Sequence, residues 1–366
     1  MSDFPKRIIN WQRQHGRHNL PWQGADAYPV WLSEIMLQQT RVDTVIPYYQ
    51  RFVASFPNVA ALAAASEEAV LAHWSGLGYY ARARNLHRAA QHIMQLHGGK
   101  FPHNFDDIQA LPGIGRSTAA AICALAFKQR HAILDGNVKR VLARYCGIEG
   151  YTADKKIEAQ LWQQAEALLP HSSPPPSRGR VRERGGSDDS ITVYTQALMD
   201  LGALICTRSK PLCNSCPVQT DCVACQAGQV AQLPTPRPRK VIPERHSTFL
   251  LLLNGNDILL EKRPGSGIWG GLWCPPQVDK GQDVSAYCAQ HFAVDAAQAL
   301  ALPVFIHTFT HFKLHITPLR FQVQRQHKLA EEPGRVWLDV SDALQAAIPA
   351  PVRKLLQELQ VRSALE

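Results

Sequence analysis

The spacing of apolar residues changes its period once along this chain, and that change limits the fold more than any other feature. Up to about residue 228 apolar residues recur every three to four positions, as in AQLWQQAEALL, and no run alternates convincingly as a strand would. The proline-rich basic segment LPTPRPRKVIPER, Leu233–Arg245, then intervenes as a stiff linker. Beyond it, FLLLLNGNDILLEKR places Asn254-Gly255 between two apolar runs, a hairpin signal, and Phe312, Leu314 and Ile316 alternate with polar neighbours. Pro351 then opens a helix with Val352, Leu355, Leu356 and Leu359 on one face. A chain of 366 residues can bury two cores. The expected organisation is therefore multidomain: an all-α domain over 1–228, a linker over 229–245 and an α+β domain over 246–366.

One stretch interrupts the helical half. HSSPPPSRGRVRERGGSDDS, residues 171–190, holds three successive prolines, arginines at alternate positions and almost nothing apolar, so it cannot fold alone. It reads as a disordered insertion; a basic arm touching DNA is the alternative, although charge runs are usually just solvated. The formal net charge of +9 favours a polyanionic partner, which charge alone leaves as nucleic acid or a membrane surface. No apolar run approaches the roughly 20 residues of a bilayer span, the nearest being Ala119–Phe127. The opening MSDFPKRIINWQRQHG is unlike a signal peptide, so a cytoplasmic protein is expected, nucleoid-associated in a bacterium.

Cys206, Cys213, Cys216 and Cys222 follow the spacing Cys-x6-Cys-x2-Cys-x5-Cys and fit four thiolate ligands into one loop, 206–222. Disulfides belong to secreted chains, and four-cysteine zinc sites usually pair two Cys-x2-Cys knuckles across a longer gap. Only one knuckle joins these four, and compact all-cysteine ligation suits an iron–sulfur cubane better than zinc. Cys225 forms a second Cys-x2-Cys with Cys222 and is set aside, with Cys123, Cys146, Cys274 and Cys288. Arg208 and Lys210 lie between the first two ligands, where a bound cluster would hold two cations in place.

FDDIQALPGIGRSTAAAICALAF, near 106–127, reads as helix, tight turn, helix. Gly113 and Gly115 permit a turn that side chains would forbid, and free N–H groups from Gly113 to Arg116 would cradle a phosphate oxygen. That is a helix-hairpin-helix signature, though Leu-Pro-Gly-x-Gly by itself also fits an ordinary corner. Further on, ILDGNVKRVLARY sets Asp135 at the mouth of a helix whose buried stripe begins Val138, Val141, Leu142. Asp135 is an N-cap, a carboxylate aimed into a cleft, or both, since capping by one oxygen orients the other. Lys139 is either its salt-bridge partner or a phosphate contact. Glu34, in PVWLSEIMLQQT, shares a helix face with Val30, Trp31 and Leu37. It either snorkels at an edge or sits desolvated with its pKa raised, as a general acid at neutral pH requires. Gln38, Gln39 and Thr40 form a run of uncharged donors and acceptors suited to reading bases.

With LPWQ at Leu20, WLSEIMLQQT at Trp31, GLGYYARARNLH at Gly76, LPGIGRSTA at Leu111, ILDGNVKRVLAR at Ile133 and the cysteine loop, the chain resembles the adenine DNA glycosylase (MutY) family of the helix-hairpin-helix base-excision superfamily. The resemblance spans nearly everything except the insertion. It implies removal of adenine mispaired with 8-oxoguanine or guanine in double-stranded DNA, one 4Fe-4S cluster, no nucleotide cofactor, no membrane and a monomer. It further implies that Glu34 protonates adenine N7 and positions water, and that Asp135 stabilises the cationic sugar. By the same resemblance Gln39 and Tyr79 intercalate, with Gln38 an open alternative, and Asn137 lines the catalytic pocket. Packing in the core beside Gly76 and Gly78 is the alternative for Tyr79. Ser117 stands where related bifunctional glycosylases carry a nucleophilic lysine, which implies a monofunctional enzyme leaving an abasic site. A lyase of the endonuclease III type and a non-catalytic damage binder are the rival readings.

The second half resembles the MutT-like, Nudix-fold domain of these enzymes around GSGIWGGLWCPP and HTFTHFKL. No glutamate occurs from Lys262 to Ala330, so the magnesium-binding cluster of a working Nudix hydrolase is missing and the domain should bind rather than hydrolyse. The resemblance puts 8-oxoguanine recognition at Phe309, Thr310 and His311.

Overall fold

The computed structural model describes residues 3–170, 189–237, 241–279, 281–292, 294–324 and 333–363. The chain divides into two compact units, one of residues 1–63 with 88–238 and one of residues 64–87 with 239–366. Most of the insertion expected at 171–190 lies outside the described residues; its last two, Asp189 and Ser190, are the cap and first residue of a helix. The linker's 238–240 also lie outside them.

In the first unit, among the described residues, every regular element is helical. Helices α1 (Phe4–His15), α2 (Ala27–Leu37), α3 (Val42–Ser55), α4 (Val59–Ala64), α5 (Glu67–Trp74) and α6 (Ala81–Leu96) come first; α4 and α6 cross the unit boundary and α5 belongs to the second unit. Then follow α7 (Phe105–Ala110), α8 (Arg116–Phe127), α9 (Gly136–Tyr145), α10 (Lys155–Ala167), α11 (Ser190–Asp200) and the short α12 (Val223–Gln226). The expected stripe on α9 is the interior: Val138, Val141 and Leu142 are buried with Phe4, Ile8, Leu161, Tyr194 and Leu201. Each such fully buried large side chain contributes roughly 1.5–3 kcal/mol. Helix α11 runs into one wider turn of π-helix, Leu201–Ile205, that delivers Cys206. Its junction is held by a buried ion pair: the fully buried carboxylate of Asp200 accepts from Arg17 N–H at 2.8 Å, from the Arg17 guanidinium at 2.6 Å and from Gln196 Nε2 at 2.9 Å.

Among the described residues the second unit carries a mixed eight-stranded sheet: β1 (Glu244–Asn254), β2 (Asp257–Lys262), β3 (Trp273–Cys274), β4 (Gln277–Asp279), β5 (Leu300–Ala301), β6 (Phe305–Thr308), β7 (Lys313–Gln322) and β8 (Arg335–Asp339). β1 starts at Glu244, two residues inside the segment expected as linker. The central order is β3-β2-β1-β7-β5, with β1 and β7 parallel from Glu244↔Lys313 to Leu253↔Gln322 and the other pairs antiparallel. The β1–β2 hairpin differs by one residue from the expected turn: Asn254 pairs with Asp257, so Gly255 and Asn256 form the loop. Gly255 takes φ 60°, as the first position of a type II′ turn requires, and Asn254 stays in the ladder. Leu314 and Ile316 point inward from β7 as their alternation predicts, and helix α13 (Val284–Phe292) packs Cys288 and Phe292 against Leu250, Leu252 and Phe321. The last helix, Ala350–Ser363, buries Val352, Leu355, Leu356 and Leu359 as expected.

Residues 64–87 join this unit through polar contacts as well as packing. Ser75 Oγ donates to Ile348 O at 2.6 Å and accepts from Arg353 Nη2 at 2.9 Å, and Glu68 accepts from Trp273 Nε1 and Lys262 Nζ. Among the described residues no helix is long and apolar enough to cross a membrane.

Candidate active site and cysteine loop

Two carboxylates meet in the first unit although 101 positions separate them in sequence. Glu34 sits on α2 between buried Val30, Trp31 and Ile35, half-buried itself. Burial, then the charge of Asp135, pushes its carboxyl up to about 8. It thus combines the two alternatives the sequence left open: enough solvent access to exchange a proton, and enough desolvation to hold one at neutral pH. Asp135 caps α9, accepting from Val138 N–H at 2.7 Å, so the local rule that favours Asp at a helix mouth also orients the catalytic candidate. Burial raises its pKa as well, but N–H groups of Val138 and Asn137 and the charges of Arg140 and Lys139 pull it back. Those supports favour the anion of Asp135, and its charge adds to burial in keeping Glu34 protonated.

The hairpin between α7 and α8 takes the expected form. Gly113 adopts φ 81°, and a β-carbon on Gly115 would meet nothing within 4 Å, leaving the mouth of α8 open to a ligand. One expected donor is unavailable: Ile114 N–H turns inward to Leu111 O at 3.1 Å, because the tight turn closes on itself. Arg116 sits over the Trp162 ring, its guanidinium carbon 3.8 Å from the ring centre, and pairs with Glu166. Ser117 neither caps nor merely continues the helix; its Oγ accepts from Leu134 N–H at 2.9 Å, tying the hairpin to the residue before Asp135. Lys139 forms its ion pair with Glu158 on α10 at 2.7 Å, and its charge also acts on Asp135.

Gln38 and Gln39 diverge at the end of α2. Gln38 Nε2 reaches Thr118 Oγ1 on α8 at 3.4 Å, whereas Gln39 is exposed at φ 58°. Thr40 Oγ1 donates to Gln38 O at 3.4 Å. In the second unit Tyr79 is also held at positive φ, 50°, with 44% of its surface exposed, so it does not pack in the core. Non-glycine residues in this region cost of order 1–3 kcal/mol each and cluster at functional sites. Thr310 and His311 are exposed at the tip of the β6–β7 hairpin, closed by Phe309 N–H to Phe312 O at 2.9 Å, and Phe309 stacks on buried Phe312 with centroids 4.4 Å apart.

Cys206, Cys213, Cys216 and Cys222 line one cavity, and Cys225, set aside on sequence grounds, stands on the same wall. The rest of that wall is largely apolar, including Val141, Leu201, Ile205 and Val218. The thiols surround the space rather than meet at a point: among the described residues no three His, Cys, Asp or Glu side chains are grouped to hold a metal ion. A donor set of sulfur without carboxylate or imidazole suits soft metals and iron–sulfur centres, and excludes magnesium and calcium. Arg208 and Lys210 are exposed on the loop.

Sequence reading missed the residues that join this loop to α9. Arg140 donates from Nε to Cys206 O at 2.7 Å, and from Nη2 to Gly202 O at 2.6 Å and Asn137 Oδ1 at 2.8 Å. Arg144, 3% exposed, donates to the carbonyls of Thr207, Arg208 and Leu233 and to Cys206 Sγ at 3.3 Å. Gly202 approaches so closely that a β-carbon there would lie 2.6 Å from Asn137 Cβ. Asn137 is therefore the first link from Asp135 to the cysteine loop. The signal available was the spacing of the two arginines, four apart on one face of α9, opposite its apolar stripe.

The HhH-GPD superfamily of base excision DNA repair proteins has a family model that matches residues 32–167, and the NUDIX domain model matches 248–358. "Adenine DNA glycosylase" of Buchnera aphidicola subsp. Acyrthosiphon pisum is 36% identical over 98% of this chain and 97% of its own length. The chain belongs to the adenine DNA glycosylase family. The adenine DNA glycosylase of Mus musculus is 30% identical over 98% of this chain and 78% of its own. Among solved structures a thermostable thymine-DNA glycosylase, 28% identical, superposes with a TM-score of 0.52 over 61% of this chain and 95% of that one. Family membership accounts for both halves: a helix-hairpin-helix glycosylase fold and an appended Nudix domain.

Proposed function

We propose that this DNA repair enzyme hydrolyses the N-glycosidic bond of adenine mispaired with 8-oxoguanine or guanine in duplex DNA, acting as a monomer and leaving an abasic site. The observation that carries this reading is the pairing of Glu34, held protonated to about pH 8, with Asp135, whose buried carboxyl is supported as an anion by the N–H groups of Val138 and Asn137 and the charges of Arg140 and Lys139. Adenine is a poor leaving group unless protonated; Glu34 supplies that proton at N7 and then, as a carboxylate, orients the water. The sugar left behind carries positive charge, which anionic Asp135 stabilises from its fixed place at the mouth of α9.

The target base must first leave the stack, at a cost of a few kcal/mol. Gln39 and Tyr79, both exposed and both at positive φ, are the wedges; Gln38 is engaged with Thr118. Gly113, Gly115 and Arg116 hold the phosphate backbone through the mouth of α8. Thr310 and His311 recognise the 8-oxoguanine opposite, with Phe309 beneath them. Cys206, Cys213, Cys216 and Cys222 hold a 4Fe-4S cluster, a reading that rests on their shared cavity and all-sulfur donor set. When bound, the cluster supplies a rigid crosslink that presents Arg208 and Lys210 to DNA.

Single-turnover cleavage of labelled duplexes with adenine opposite 8-oxoguanine, guanine or thymine tests the proposal, each sample divided between alkaline treatment and none. Breaks only after alkali, fastest opposite 8-oxoguanine, are expected. Breaks without alkali mean lyase chemistry, and binding without adenine release means a damage binder. Ser117→Lys should gain borohydride-trappable DNA adducts, and their absence counts against the placement of Ser117 beside the sugar.

A further inference from the structure

The loop between β2 and β3 contains a tryptophan in a conformation that a β-carbon disfavours. Trp269 has φ 55°, in a turn wound so tightly that a β-carbon on Gly270 would lie 2.7 Å from Gly265 O. Gly267 and Gly271 take positive φ on either side. Glycine would relieve the strain at 269 too, so the ring must be kept for what it touches. The turn is pinned at its tip: Arg84 Nη1 donates to Gly270 O at 2.6 Å and Gly271 N–H to Arg263 O at 3.2 Å.

The strained backbone turns the indole inward, 7% exposed, against the hairpin that carries Thr310 and His311. Its centroid lies 5.5 Å from Phe309 and 5.7 Å from His307, and it meets Phe249 of β1 edge-on at 6.1 Å. Phe309 is otherwise held by its own hairpin, stacked on Phe312 and edge-on to His307 at 4.6 Å. Trp269 is thus a strut from a different loop, seated on the sheet through Phe249 and bearing on Phe309.

We propose that Trp269 is a specificity-determining positioning residue: it fixes Phe309, and through it the exposed Thr310–His311 tip that reads the base opposite the target adenine. The inference rests on the recognition role assigned above to that tip. It predicts an effect on discrimination between opposing bases and none on the chemistry of adenine release, because Glu34 and Asp135 belong to the other unit. Aromatic packing of this kind couples neighbouring residues strongly enough to alter a rate ratio about tenfold.

The test uses full-length Trp269→Leu, Trp269→Phe, Phe309→Ala and the Trp269→Leu/Phe309→Ala double variant, with single-turnover rates on adenine opposite 8-oxoguanine and opposite guanine. Trp269→Leu should lower the 8-oxoguanine-to-guanine rate ratio about tenfold with the rate opposite guanine unchanged. Trp269→Phe should restore most of it, and the double variant should be no worse than Phe309→Ala. If Trp269→Leu does not fold, Trp269→Gly, which removes the ring and the strain together, should give the same fall. A normal ratio in the Trp269 variants beside a reduced one in Phe309→Ala overturns the proposal, as does an equal fall in both rates. An unchanged ratio in Phe309→Ala overturns instead the recognition role beneath it.

Discussion

Replacing Glu34 by glutamine keeps the shape of the side chain and removes its titration, which makes the electrostatics of the pocket measurable as stability. Its carboxyl moves from 4.5 to about 8 on folding, by burial first and by Asp135 second. At about 1.36 kcal/mol per pKa unit, the displacement corresponds to about 5 kcal/mol between the protonated and ionised native states. Between roughly pH 4.5 and 8 the native chain holds a proton that the unfolded chain has lost, so stability falls as pH rises through that window. Partial solvent access screens the charge, and coupling to Asp135 absorbs part of the difference, leaving ~2–4 kcal/mol. Glu34→Gln should therefore match the wild type near pH 5 and exceed it by ~2–4 kcal/mol at pH 9, while excising no adenine at either pH. Urea unfolding at both pH values reads the difference, and every other titrating group except Asp135 cancels between the two proteins. Wild-type excision should itself decline tenfold per pH unit above about 8, as the proton donor is lost. A stability difference independent of pH would refute the desolvated pocket, whatever the activity showed.

Asp135→Asn keeps the acceptor for Val138 N–H and should fold normally, with excision reduced about 10³-fold; the alkaline limb of any residual activity should move to lower pH, since Glu34 loses the charge that helps raise it. Arg140→Gln strips donors from Gly202 O, Cys206 O and Asn137 Oδ1, and should cost ~2–4 kcal/mol in thermal or urea unfolding. Cys213→Ser should lose iron, sulfide and DNA affinity together, whereas Cys225→Ala should keep all three; an iron-free variant with normal DNA binding would remove the positional role given to the loop.

Local rules explain what was legible from the residues alone. The stripe on α9, the capping Asp135, the glycines of the hairpin between α7 and α8 and the alternation in β7 each depend on neighbours within a turn or a strand, and each was found where the periodicity put it. The β1–β2 turn was displaced by one residue because strand pairing, not the dipeptide, sets register. The cysteine spacing marked a shared cavity, although it gave no sign that Cys225 stands on its wall.

What the sequence by itself determined is the inventory: two carboxylates of suitable type, an open helix mouth, four clustered thiols, and two halves of different period. Tertiary structure alone decided what those groups are chemically. Glu34 becomes an acid near pH 8 because folding buries it and sets Asp135 close enough to repel its charge. Lys139 turns to Glu158, Ser117 to Leu134, and Arg140 and Arg144 to the carbonyls of the cysteine loop. Trp269 accepts a strained backbone to press on Phe309. Partners and proton affinities of this kind arise from burial and long-range contact, which depend on every element packed around a residue and so cannot be read from its neighbours in the chain.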